Sequence, residues 1–229
     1  MNYAGTFALI FLCGSLAIAQ PRTISARAGT INFQRGAVYV DDKLVSATYG
    51  DLPPFQMKNG QRLRIESGRL ELLLGSGVYL RMLGPSAIRM QETQLADTRV
   101  VLEDGSALIE VAGMNRDAKL RVISGESSTE PKRDGSYRFE APAEGTTGKL
   151  RIFSGEATVE RAGIVVKGKT GAAIDLAAGL NLSKFDLKNG DALQAWATRR
   201  SQRRINIERR LAEARAMQVA KRKAENEVH

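Results

Sequence analysis

Cysteine and histidine are nearly missing from this 229-residue chain: the one cysteine is Cys13 and the one histidine is His229, the last residue. That scarcity all but excludes a zinc site of Cys and His ligands, a Cys–His nucleophile pair and a Ser–His–Asp triad. A disulfide within one chain needs two cysteines and is excluded outright. Acidic residues are also outnumbered, with 25 Asp and Glu against 34 Lys and Arg, for a formal charge of +9. The apolar share of 43% and charged share of 26% are ordinary for a folded protein and argue against wholesale disorder. At about 150 residues per domain, the length allows one domain or one domain with an extension.

Charge is absent from Met1 to Ala19 altogether, and Ala8–Ala19 is almost entirely apolar or small. Ala17-Ile18-Ala19 has the small-x-small form of a cleavage site, so residues 1–19 read as a secretory signal peptide. The run is short for a membrane span, which needs about 20 apolar residues. An uncleaved anchor is the alternative, because no Lys or Arg follows Met1. Leu12 is too large for the position before a lipidated cysteine, so Cys13 reads as part of the apolar segment. The expected location is periplasmic or secreted, with a cysteine-free mature chain.

What is present is strand-like. From Ala28 to about Leu187, Val, Ile, Leu and Thr alternate with polar residues, and glycine punctuates them. One pattern recurs: Ile31-x-Phe33-x-Arg35-Gly36-x-Val38-x-Val40, then Val100 to Ile109 about Asp104-Gly105, then Leu150 to Val159 about Ser154-Gly155. Leu120–Ser128 copies much of the third, but with polar residues after Gly125. Read as two-residue hairpin turns, the x-Gly pairs predict cross-strand partners Phe33 with Val38, Leu102 with Ala107 and Ile152 with Ala157. Each hairpin then has one apolar face, which a second layer must cover. Gly75-Ser76 and Asn59-Gly60 add turn signals, and Pro53-Pro54 and Pro142 mark loops. The expectation is a mainly β fold, a twisted β-sandwich or short β-solenoid built of hairpins, followed by a long C-terminal α-helix. The expected divisions are 1–19 for the signal peptide, 24–187 for the β domain and 188–229 for the helix.

After Gly190 there is no Gly or Pro, and Ala, Leu, Arg, Glu and Gln dominate. Asp191 and Gln194 have capping-box spacing. Leu193, Trp196 and Ala197 form an apolar patch able to dock on the β body, and Ile207, Leu211 and Ala214 a narrow stripe beyond it. Arg204–Glu208, Arg209–Glu213 and Lys221–Glu225 stand at i,i+4. Arg199, Arg200, Arg203, Arg204, Arg209 and Arg210 are the densest charge cluster. They are candidates for binding an anion or a partner; the plainer alternative is a solvated helix whose stripe meets a partner or a second copy. Nucleic acid is disfavoured, since Trp196 is the only aromatic platform near these charges.

Several segments in order resemble the FecR domain family, periplasmic β-rich domains related to the ferric-citrate regulator. These are Ala28-Gly29-Thr30-Ile31 with Gly36-Ala37-Val38-Tyr39-Val40, Asn59-Gly60-Gln61-Arg62-Leu63 with Ser67-Gly68-Arg69-Leu70-Glu71-Leu72, and Gly77-Val78-Tyr79-Leu80-Arg81. Val101–Ala107, Gly135-Ser136-Tyr137-Arg138-Phe139 and the segment around Trp196 continue the likeness. It runs from about Ala28 to Val165 and implies a stand-alone extracytoplasmic module. The family's regulators place a sigma-factor-controlling segment and a membrane span before this domain, whereas here the signal leads almost directly into it.

Paired carboxylates are the enzyme class that composition leaves open. Asp41-Asp42 and Glu103-Asp104 both fall at predicted turns, where acids usually serve backbone hydrogen bonds. Glu66 and Glu71 are placed to form surface ion pairs with Arg64 or Arg69. Tyr79, Tyr137 and Phe139 suit either the core or a groove. The expectation is a protein that is not an enzyme, with no catalytic residues, metal or cofactor. It would bind an unknown protein or an envelope polysaccharide, in envelope signalling or as an assembly component that oligomerises through its helix.

Overall fold

The computed structural model describes residues 28–45, 54–115 and 117–227, with side chains to residue 223. The N-terminal segment 1–19 with Cys13, Pro53 of the Pro-Pro loop, Glu225 of the last ion-pair candidate and His229 lie outside these residues or side chains.

Alternating branched and polar residues form seventeen strands among the described residues, and the chain deals them between two sheets. Strand β1 (Thr30–Arg35) lies in the first sheet, and β2 (Val38–Val40), β3 (Lys43–Val45) and β4 (Arg62–Ile65) in the second. The hairpin β5 (Arg69–Gly75) and β6 (Val78–Leu83) returns to the first; β7 (Ser86–Glu92) and β8 (Asp97–Asp104) cross back. Strand β9 (Ser106–Val111) is in the first sheet, and β10 (Lys119–Ser124) and β11 (Ser127–Pro131) are in the second. The pairs β12 (Gly135–Glu140) with β13 (Lys149–Ser154), β14 (Glu156–Arg161) with β15 (Ile164–Lys169), and β16 (Ala172–Asp175) with β17 (Leu182–Lys184) then alternate, first, second, first. The first sheet runs β1-β5-β6-β9-β12-β13-β16-β17 and the second β15-β14-β11-β10-β8-β7-β4-β2-β3. Helix α1 (Ala192–Glu227) follows.

The two sheets share one core. Leu72, Leu80, Ile109, Phe139 and Ile152 from the first and Leu63, Ile88, Val100, Val122 and Val159 from the second belong to a single buried cluster. The mainly β architecture and the C-terminal helix agree with the expectation from sequence, and the layout is that of a sandwich.

The three x-Gly turns do not close hairpins. Arg35-Gly36, Asp104-Gly105 and Ser154-Gly155 are corners at which the chain leaves one sheet for the other. Leu102 pairs with Ile88, Ala107 with Met82 and Phe139, Ile152 with Tyr137 and Ala157 with Pro131. The alternation misleads because it is satisfied both ways: Leu102 and Ala107 both point into the core, but from opposite sheets. Phe33 is not even inward. A register shift between Ile31 and Phe33 turns it to the outer face of the first sheet. The fourth, imperfect copy is the real hairpin: Val122 pairs with Thr129 and Ser124 with Ser127 across Gly125-Glu126. The β5–β6 turn is Ser76-Gly77, one residue past the expected Gly75-Ser76.

Glycine is required at the corners because neighbouring corners touch. A Cβ on Gly36 would lie 2.2 Å from the Ser67 carbonyl oxygen, and one on Gly68 1.9 Å from that of Arg35. Gly68 also has φ +94°, in the left-handed region. Gly68→Val should therefore cost about 2 kcal/mol or more in urea unfolding. Gly60→Ala, with φ +82° but nothing within 4 Å of its Cβ, should lose only the backbone share, about 1 kcal/mol.

Candidate functional site

The outer face of the first sheet is where the helix docks. Asp191 caps it, accepting the Gln194 backbone N–H on Oδ1 at 2.9 Å. The same carboxylate is held by buried Arg138 of β12 at 2.6 Å, so the cap is also the latch between sheet and helix. Leu193, Trp196 and Ala197 then bury against Leu108, with Phe33 and Leu83 beside them. Trp196 meets the Phe33 ring at 6.0 Å between centroids, tilted by 42°. This is the docking patch read from the sequence, completed by a phenylalanine that the β1 bulge delivers.

Beyond the patch lies a buried ionic network. Arg81 of β6 is 0% exposed; its Nε donates to Glu71 Oε2 at 2.6 Å and its Nη1 to Glu110 Oε2 at 2.5 Å. Glu71 is 2% exposed and also accepts from Asn32 at 2.6 Å and pairs with Arg200 at 2.8 Å. Glu110 of β9 pairs with Arg204 at 2.7 Å and accepts from Ser201 Oγ. Two aromatic faces complete the enclosure, Phe33 with the Arg200 guanidinium 4.4 Å from its centroid and Tyr79 with that of Arg204 at 4.7 Å. Burial alone raises the pKa of each carboxylate. The Arg200 and Arg81 hydrogen bonds and charges at Glu71, and those of Ser201, Arg81 and Arg204 at Glu110, outweigh it, so both are held below the usual glutamate value.

The six arginines thus separate into two sets. Arg200 and Arg204 are committed to the body, while Arg199, Arg203, Arg209 and Arg210 are exposed. Arg209 donates to Asn206 at 3.2 Å in place of Glu213, and Arg204–Glu208 forms at 3.1 Å as its spacing suggests. The sheet-facing line Leu193, Ala197, Arg200, Arg204 continues at helical spacing through Ile207 and Leu211, but the sheet does not. Ile207 and Leu211 are 51% and 52% exposed, and every side chain from Ile207 to Lys223 is exposed.

The other candidates resolve simply. Asp41 and Asp42 form the β2–β3 turn, and Asp41 accepts the Arg62 backbone N–H at 2.9 Å. Glu103 holds Arg62 and Arg89, and Asp104 accepts the Gly105 N–H. Glu66 pairs with Arg64. Glu71 pairs with neither Arg64 nor Arg69, and it is not on the surface. Tyr137 and Phe139 are core. The Glu71–Arg81 pair escaped sequence reasoning because counting outward from Ser76-Gly77 sets Glu71 opposite Met82. A register shift between Leu73 and Gly75 moves it to Arg81.

Among the described residues no group of three or more His, Cys, Asp or Glu is placed to hold a metal ion, and no helix is long and apolar enough to cross a membrane. The chain is thus a two-sheet β protein whose outer face carries a helix on a buried ionic platform. No family model and no curated protein matches it. Two crystal structures, at 1.65 and 2.50 Å resolution, of a candidate anti-sigma factor from Parabacteroides distasonis ATCC 8503 are similar to it, at 14% and 15% identity and a TM-score of 0.46. The similarity covers 55% of this chain and 59% of theirs.

Arg81→Met should cost about 3–5 kcal/mol in urea unfolding, because it strands two carboxylates under the helix. The pH dependence has a definite sign. Carboxylates with lowered pKa stabilise the fold above the unfolded glutamate value, about 4.3, and that stability is lost as pH falls through the lower folded values. Trp196 is the chain's one tryptophan, so its emission reports docking. It should stay unchanged from pH 7 to 5, then shift to the red below about pH 4.

Proposed function

We propose that this chain is a non-catalytic extracytoplasmic module that binds a protein partner through the projecting part of its helix. One observation carries the reading: the stripe that docks the helix runs on past the sheet as Ile207 and Leu211, half exposed and flanked by Arg203 and Arg210. From Ile207 to Lys223 every side chain is exposed, and since helices in proteins draw most of their stability from a packed apolar face, a partner that covers this stripe would stabilise the segment. The extracytoplasmic placement rests on residues 1–19 and on the FecR resemblance of residues 28–165. A place in envelope signalling rests on that resemblance alone.

Assembly is the second reading, and the same stripe favours it, with a second copy as the partner. Acidic polysaccharide on the four exposed arginines is weaker, since a polymer of charge has no use for Ile207 and Leu211.

The structure sets where the chain should be cut to test this. Ending it after Arg204 keeps the residues that cover the first sheet, whereas removing 191–229 would uncover Arg81 and Glu71. Affinity capture from an envelope fraction should recover a partner with the full chain. That partner should be lost with the chain ending at Arg204 and with I207S/L211S, both keeping their unfolding midpoints. Capture that survives both changes would overturn the reading. Light scattering separates the two versions: a dimer lost in I207S/L211S makes the partner a second copy. Mass spectrometry should find the N-terminus at Gln20; an intact Met1–Ala19 on a cytosolic protein would remove the location.

A further inference from the structure

The end of the sandwich formed by β15 and β17 is open. Among the described residues, strand β15 is the last strand of the second sheet and pairs only with β14, over six residues; β17 is the last of the first sheet and pairs only with β16. Between these edges runs a groove of about 1240 Å³, which shares no residue with the helix. Leu182, Phe185 and Leu187 give it an apolar wall, with Leu182 and Leu187 56% and 45% exposed. At Gly168 the floor reaches the core, since a Cβ there would lie 2.8 Å from Ile152 Cδ1.

The rim is basic. Lys132, Lys167, Lys169, Lys184 and Lys188 line the groove, and of these only Lys132 has a carboxylate partner among the described residues, Glu130 at 2.6 Å. Two carboxylates against five lysines leave the lining net positive, with Glu156 opposite Lys169 in the β14–β15 ladder. Glu156 lies 4.0 Å from Arg133, and Asp186 Oδ1 accepts the Lys188 backbone N–H at 2.9 Å. Four unpaired ammonium groups above an apolar wall exceed what solubility at a sheet edge requires.

We infer that this groove takes an extended acidic peptide, added as a strand to β15. Three features select that occupant. The free edge of β15 supplies unpaired backbone N–H and C=O groups, which recognise a peptide and not a sugar. The lysines set the sign of its side chains, and the wall takes the apolar side chains that alternate with them. A second copy paired antiparallel through β15 about Gly168, at the groove, would set Lys167 and Lys169 of each against the other, and like charges opposed across a ladder are destabilising.

The test is fluorescence anisotropy of a fluorescein-labelled octapeptide alternating Glu and Val, titrated with the full chain. Saturable binding is expected. It should weaken at least tenfold in K167E/K184E, and likewise for a peptide N-methylated at alternate residues, which cannot pair as a strand. The second arm leaves the protein unaltered, so it decides the matter even if the double variant fails to fold. No saturable binding, or equal binding by the N-methylated peptide or a Lys–Val octapeptide, would overturn the inference. Displacement by polyglucuronate as effective as by unlabelled peptide would overturn it in favour of a polysaccharide. A dimer in light scattering that the peptide dissociates would overturn it in favour of a second copy.

Discussion

A guanidinium with no access to water has to be neutralised from within, and Arg81 is such a group. It sits on the outer face of a sheet, where an arginine would ordinarily be solvated. Its burial is created by the helix laid over it, and its neutralisation by Glu71 and Glu110 from the strands on either side. Those two carboxylates in turn draw in Arg200 and Arg204 from the helix. The arrangement is reciprocal: the helix buries the network, and the network supplies the helix with two fixed points one turn apart. Buried ion pairs of this kind add little net stability over well-packed apolar groups. What they do is penalise every other placement, because a helix shifted by one turn leaves an unpaired buried charge.

The rest of the docking follows the same logic of double use. Asp191 caps the helix and holds Arg138. Phe33 packs on Trp196 and lies under Arg200. Ser201 donates to Glu110 and accepts from Arg81. The helix is therefore held over about its first thirteen residues by contacts with the first sheet, and from Ile207 to Lys223 its side chains are exposed. Its remaining length is a lever whose angle is set by the platform. The edge groove at β15 and β17 stands outside this system, so the molecule presents two separate surfaces, one helical with arginines and one strand-edged with lysines.

How much of this was legible depended on the range of the interaction. The docking patch Leu193, Trp196, Ala197 and the cap at Asp191 were readable, because helix periodicity and capping act within a few residues. The alternation of apolar residues was readable too, since it requires only that a strand have one wet and one dry face. The turns were misread where a corner and a hairpin ask for the same residues. Gly36, Gly105 and Gly155 all have positive φ, as a hairpin turn would. At Gly36 and Gly68 it is the contact between two corners more than thirty residues apart that forbids a side chain. The local motif carries no record of that contact.

Composition and order alone determined that the chain has a β body with a helical tail, that it has almost none of the cysteine and histidine used in zinc sites and nucleophile–histidine pairs, and that its positive charge concentrates after Gly190. These are properties of residue type and short spacing. Only the tertiary structure decided which arginines face inward, because just over a quarter-turn of helix separates Arg200 from Arg199 and only the sheet beneath distinguishes them. Only it placed Glu71 opposite Arg81, through a single-residue slip in one hairpin that periodicity cannot register. Several of the charged residues do structural work, Arg81, Glu71 and Glu110 foremost. Which of them did so was settled by burial, a property no residue has until the chain has folded.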